Sequence, residues 1–213
     1  VGRRAIAKEI PGLREEFAPD VLIANGENSA GGFGIQPETA QEIFKAGVDL
    51  ITTGNHIWSK KDIYPYLDKH SEKIIRPLNF PEGAPGAGLL HHRLEDGTHL
   101  IVVNLIGRVF MPDLVDCPFQ KIDQLLKSLK DEHPQAIIFC DFHAEATSEK
   151  VALGYFVDSR MSVLVGTHTH VQTADERVLP GGTAYISDVG MCGPEEGILG
   201  CEIEPIVAKF RTG

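Results

Sequence analysis

Four strand-length apolar runs in this chain each end on side chains that bind metals or move protons. That repeated junction constrains the fold more than any other feature. "DVLIAN" (20–25) leads into "GEN" (26–28), and "VDLITTGN" (48–55) leads into His56. "AIIFCDFH" (136–143) finishes on His143; "SVLVGTH" (162–168) finishes on His168, with His170 two residues further on. Segments of helical spacing lie between the runs, at 3–16, 37–47, 119–131, 148–157 and 202–211. The 37–47 segment has Pro at its start and Gly at its end, as helices do, and Ser148 is placed to cap the helix that begins there. Residues 89–107 predict a hairpin turning at Asp96-Gly97, "IIRPL" (74–78) a short strand, and "TAYISDVG" (183–190) the strand that closes the sheet. Such alternation argues an α/β domain with some antiparallel pairing. In open α/β sheets the ligand lies outside the carboxyl ends of the strands, which is where these polar residues gather.

A length of 213 residues, 42% of them hydrophobic, suffices for one domain with a substantial core, and a single domain over 1–213 is expected. A net charge of −10 disfavours broad contact with a nucleic-acid backbone, which needs clustered Lys and Arg. The longest apolar runs, such as "LIVVNLI" (100–106), are strand-sized and too short to cross a membrane. No signal peptide or lipidation motif directs the chain out of the cytoplasm. Cys117, Cys140, Cys192 and Cys201 show no CxxC spacing and read as reduced thiols.

Taken singly, the residues at the strand ends have ordinary explanations. Glu27 could be a solvated loop carboxylate; Asn28 and Asn55 suit turns; His56 could cap a helix; His143 could bond its neighbours. In an extended segment His168 and His170 would point the same way, with Cα atoms about 7 Å apart. Two imidazoles so placed could hold one metal, serve a pair of metals, or be loop histidines. Collectively, carboxylate, amide oxygen and imidazole form a donor set suited to Mn, Fe or Zn. A bridging carboxylate can hold two metals about 3.5–4 Å apart, the spacing used for in-line displacement at phosphorus.

"GEN" (26–28), "TGNHIW" (53–58), "RPLNFPEG" (76–83), "DFHAEATSEK" (141–150), "VGTHTHVQTAD" (165–175) and "GTAYISDVGM" (182–191) resemble, in that order, the bacterial YmdB-like branch of the calcineurin-like metallophosphoesterases. The resemblance covers nearly the whole chain. It implies a four-layer α/β/β/α sandwich and a di-metal phosphodiesterase acting on small phosphodiesters, with 2′,3′-cyclic nucleotides as the family substrates. It also implies two metal ions, Fe or Mn first and Zn compatible. Glu27 would bridge both; Asn55, His143 and His168 would complete one site, and Asn28 and His170 would belong to the other. His56 would stay off the metals as proton donor to the leaving alkoxide. Relatives open with a strand ending in Gly-Asp, whose Asp binds the first metal, and continue past "AKFRTG" with further strands. This chain opens on a helix-like segment, so its sheet is expected to lack those strands and its site to be better formed at Asn55, His143 and His168.

Other readings arise from the same residues. One is a regulatory protein that binds metal and cyclic nucleotide with little turnover; a metal-dependent amidohydrolase ranks below it, having no claim on "GNH" followed by "GTHTH". The partners implied are a small phosphodiester, no duplex nucleic acid and no membrane, and a homo-oligomer is compatible. "GGFG" (31–34) reads as a flexible turn beside the site, since it lacks the Lys-Ser/Thr of a P-loop. Glu145 is placed to orient a ligand histidine. His70, His91, His92, His99 and His133 stand in hairpin or helix-end contexts and read as solvated surface.

Overall fold

The computed structural model describes residues 1–213. A first helix, α1 (Gly2–Phe17), leads to β1 (Ile23–Asn25), α2 (Pro37–Lys45) and β2 (Leu50–Thr52). The short strands β1 and β2 pair in parallel as one sheet, with Ile74 bridging to Ile51. A 3₁₀ turn over Asn55–Ser59 and α3 (Ile63–Lys69) come next, neither anticipated from the sequence. The second sheet takes β3 (Leu89–Arg93), β4 (His99–Ile106), β5 (Ile137–His143), β6 (Val163–Thr167), β7 (Arg177–Val178) and β8 (Ala184–Ile186) in the order β3-β4-β5-β6-β8-β7. Its four central strands are parallel, and β3 and β7 run antiparallel at the edges. Helices α4 (Pro118–Glu132), α5 (Thr147–Val157) and α6 (Ile203–Thr212) complete the chain.

Side-chain alternation builds the layers. Along β4, Ile101, Val103 and Leu105 point to one face and meet Ile122, Leu126 and Leu129 of α4 and Leu153 and Val157 of α5. The alternate residues Leu100 and Val102 point the other way and meet Leu50 of β2 and Ile75. The far face of the small sheet, through Ile51, packs on Ile10 of α1, Ala40 and Ile43 of α2 and Ile63 of α3. Three apolar clusters thus fill the three interfaces of a helix–sheet–sheet–helix stack. Burying each Leu or Ile stabilises it by about 1.5–3 kcal/mol.

The hairpin at 89–107 forms as expected: Gly97 has φ 89, and the Asp96 side chain accepts the Thr98 amide at 2.8 Å. Three expectations need correction. "TAYISDVG" forms a strand only over Ala184–Ile186 and does not close the sheet, because β7 pairs along its outer edge. "IIRPL" contributes a single bridge and no strand, because Arg76 turns its guanidinium back onto the carbonyls of Pro77 and Leu78. Ser148 does not cap α5. The helix starts one residue earlier, at Thr147, after Ala146, with no side-chain cap.

Candidate metal centre

Every strand-end residue named from the sequence lies at the carboxyl end of its strand, and the stack turns both sets of ends toward one another. Parallel register sets His143, the last residue of β5, beside Thr167, the last of β6. Beyond β1 the chain places Glu27, 2% exposed, so that its Oε2 lies 2.8 Å from His143 Nε2. Asn55, opening the 3₁₀ turn after β2, brings Oδ1 to 2.9 Å from the same nitrogen, and His168 brings Nδ1 to 3.0 Å. Gly54 makes this possible. A Cβ there would stand 2.4 Å from His143 Nε2 and 2.5 Å from Glu27 Oε2.

Proton placement decides what this convergence means. Thr167 Oγ1 donates its one proton to Asp141 Oδ1 at 2.7 Å, so it can only accept from His143 Nδ1, 2.9 Å away. The proton of a neutral His143 then sits on Nδ1, and Nε2 offers a lone pair to atoms that are themselves acceptors. His168 is arranged alike, with Nε2 3.1 Å from Glu145 Oε2 and Nδ1 turned inward. Lone pairs from Glu27, Asn55, His143 and His168 that converge in a buried place require a positive charge among them, a proton or a cation. Spacings of 2.8–3.0 Å around His143 Nε2 suit the edge of a coordination shell about 2.0–2.1 Å in radius.

The second half of the site is looser. Asn28 Nδ2 lies 3.2 Å from His170 Nε2, while Asn28 Oδ1 is buried without any hydrogen-bond partner. An orphaned acceptor beside an imidazole nitrogen fits a cation that would take both. His56 lends the cluster only its backbone amide, which donates to Glu27 Oε1 at 2.9 Å; its ring lies edge-on to the exposed Phe33, with centroids 4.9 Å apart.

The electrostatics stem from the same contacts. Burial opposes ionisation of Glu27; where a proton rather than a cation occupies the cluster, a protonated His143 donates from Nε2 to the carboxylate, and that bond and charge, with the His56 amide, outweigh burial and hold the carboxyl below the usual range. Burial first, then the His143 charge, pushes the His168 imidazole down, against Glu27 and Glu145. Asp141, fully enclosed, is pushed up by burial despite donors from Thr52, Asn25 and Thr167.

The expected extended path through 168–170 does not occur. β6 stops at Thr167, and His168 (φ 106) and His170 (φ 65) both have left-handed backbone, at a cost on the order of 1–3 kcal/mol each. The two rings reach different partners because the chain bends, with Val189 N bonded to Gly166 O in place of a continued ladder. Gly166 itself admits no side chain, since a Cβ would stand 1.8 Å from Ser187 O.

The model of the family described as "YmdB-like protein" matches residues 1–213. The chain belongs to the YmdB-like family. It is similar to the 2′,3′-cyclic-nucleotide 2′-phosphodiesterase of Bacillus subtilis (strain 168), 49% identical over 211 residues that cover 99% of this chain and 78% of that protein. A putative phosphatase/phosphodiesterase of Mycoplasma genitalium is 35% identical over 219 residues, covering 100% of this chain and 75% of that one. Among solved structures, a hypothetical protein from Thermus thermophilus matches with TM-score 0.88 at 43% identity, covering 99% of this chain and 79% of that chain. A Mycoplasma pneumoniae structure described as a novel phosphatase matches with TM-score 0.88 at 34% identity, covering 98% of this chain and 74% of that chain. The fold is the α/β metallophosphoesterase fold, and relatives named phosphodiesterase or phosphatase support an enzyme that hydrolyses phosphoesters.

Several residues of this YmdB-like site were not singled out by sequence. Asp141 and Thr167 fix the His143 proton; a carboxylate inside the apolar run "IIFCDFH" was the available signal. Asp113 is drawn in from the loop after β4. One of its carboxylate oxygens is buried and unpartnered, and burial raises the group, offset by the His56 and His143 charges. Nothing in its local sequence marks it.

Proposed function

We propose that this chain hydrolyses small phosphodiesters, with 2′,3′-cyclic nucleotides as the substrate class, at a two-cation centre. The observation that carries the proposal is the convergence of Glu27 Oε2, Asn55 Oδ1 and His168 Nδ1 on His143 Nε2. The 49%-identical relative named for 2′,3′-cyclic nucleotides supports the substrate class. Glu27, Asn55, His143 and His168 would hold one cation, and Glu27, Asn28 and His170 the other. Fe or Mn suits this oxygen-and-imidazole set first, with Zn compatible.

Bound cations would supply the positive charge that a chain of net charge −10 lacks, and would acidify a water for attack on phosphorus. The protein's own residues do the rest. Asp141 and Thr167 keep the His143 proton on Nδ1, and Glu145 keeps the His168 proton on Nε2, so both rings face inward as acceptors. When the phosphorus–oxygen bond breaks, the departing sugar oxygen needs a proton. His56, held beside Glu27 by its amide with its ring outside the cluster, supplies it.

Hydrolysis of bis-p-nitrophenyl phosphate and of 2′,3′-cyclic AMP tests the proposal. EDTA should abolish both and Mn²⁺ or Fe²⁺ should restore them; turnover that survives thorough metal removal overturns it. His56→Ala should lower kcat and leave metal content intact. Loss of metal in that variant would mean that His56 is a ligand.

A further inference from the structure

Beneath the bend that carries His168 and His170 lies an ion pair closed off from solvent. Lys150, on α5, and Asp188, just after β8, are each 1% exposed, and Lys150 Nζ lies 2.8 Å from Asp188 Oδ2. That same oxygen accepts the Thr169 amide at 3.0 Å and the Thr169 hydroxyl at 2.7 Å, while Oδ1 accepts the Gly190 amide at 2.8 Å. Thr169 is the residue between the two histidines. The Asp188 backbone adds two bonds to Thr173, its amide donating to Oγ1 at 3.0 Å and its carbonyl accepting the Thr173 amide at 3.0 Å. Both ends of the 168–173 bend are therefore tied to one residue.

We propose that the Lys150–Asp188 pair is the positioning device of the centre: by gripping Thr169 it holds His168 and His170 in left-handed backbone and sends their rings to different halves of the site. Two non-glycine residues so close in the chain, at φ 106 and φ 65, do not hold that shape unaided. A neutral acceptor at 188 could take the Thr169 bonds, but not with the strength of a carboxylate. A carboxylate enclosed here, in turn, needs the ammonium of Lys150 as its counter-charge. The ionic character of the pair thus answers to the bend it secures rather than to packing. Neither Asp188 nor Lys150 hydrogen-bonds a histidine ring: Asp188 reaches the bend through Thr169, and Lys150 acts through Asp188 and, at longer range, by its charge on His168.

The inference rests on the metal reading for its consequence, though not for its geometry, so two measurements separate them. Nitrogen-15 NMR of histidine rings in the metal-free full chain reads the bend alone; Mn²⁺ titration by calorimetry reads the centre. Thr169→Val, which deletes the hydroxyl grip, should shift the His168 and His170 ring signals, leave those of His70 and His92 in place, and weaken Mn²⁺ binding about 10–100-fold. Thr169→Ser should restore both readouts to within about twofold, because it restores the hydroxyl. Asp188→Asn should exceed Thr169→Val in both; should it fail to fold, Thr169→Val decides. Unmoved ring signals in Thr169→Val overturn the positioning role. Wild-type protein that binds no Mn²⁺ overturns the metal reading, and the ring signals still judge the clamp.

Discussion

Two histidine clusters stand at opposite ends of the large sheet, with nearly the same spacing between rings. At the carboxyl ends of the parallel strands, His143 and His168 have centroids 4.7 Å apart. At the other end, where β4 begins, His91 and His99 each approach His133, beyond α4, at 5.0 and 5.2 Å. These three were read from the sequence as solvated surface residues; the hairpin and the end of α4 gather them. What differs is the company they keep. Glu27, Asn55, Asp141 through Thr167, and Glu145 surround the first pair, which is buried or half-buried. At the second cluster His91 is largely exposed; the partial cover it does have, with the charges of His133 and His99, pushes its pKa down, and Glu132 is the only opposing carboxylate. Proximity of imidazoles does not make a site. Converging acceptors with fixed protons do.

The largest expected effects come from making the first cluster resemble the second. Gly54→Ala places a methyl group between His143 and Glu27, and Glu27→Gln removes the one charged acceptor. Either should lower phosphodiester hydrolysis about 10³-fold or more, a barrier change of about 4 kcal/mol, with loss of bound metal measured by plasma emission.

Asp141→Asn tests whether fixed protons matter as much as converging atoms. The loss should be about 10–100-fold in metal affinity by calorimetry. Because burial raises the folded pKa of Asp141, its favourable contribution is complete below the unfolded carboxylate range and is lost as pH rises through the raised value. Metal-free Asp141→Asn should consequently melt at or above the wild-type temperature at pH 7. A cooler melting variant with intact affinity would break the comparison.

The smallest effect belongs to the far cluster. His133→Asn should leave turnover and metal content unchanged. His91 has a depressed folded pKa, so its stabilising contribution is present above the ordinary histidine range and is lost as pH falls through the lowered value. Removing His133 relieves part of that depression, and the variant's melting temperature should fall less than the wild type's between pH 7 and pH 5. Metal carried specifically by this cluster would contradict that distinction.

The strand ends were legible in the sequence because period-two apolar runs have nowhere to bury except between layers, and the residues just beyond them must surface at one edge. Glu27, Asn28, Asn55, His143, His168 and His170 are brought together there, with His56 alongside. The bend at 168–170 was not legible. Its cause is Asp188, 19 residues beyond Thr169 in the chain and recognisable only once β6 and β8 are paired. The relay from Asp141 to His143 was hidden for the same reason. Asp141 lies on β5, its intermediary on β6, and local propensity carries no record of such pairs.

The alternation of β5 has one more consequence. Ile138, Cys140 and Phe142 face the helices, and Asp141 and His143 face the small sheet. A slip of one residue in strand pairing would exchange those two sets, offering a thiol and a phenyl ring where the centre needs a carboxylate and an imidazole. A chain misregistered at this strand could stay compact and yet take up no cation at the Glu27 cluster. Cation uptake by freshly refolded protein would then report on the fidelity of folding itself, counting only the molecules whose strands have found their true neighbours.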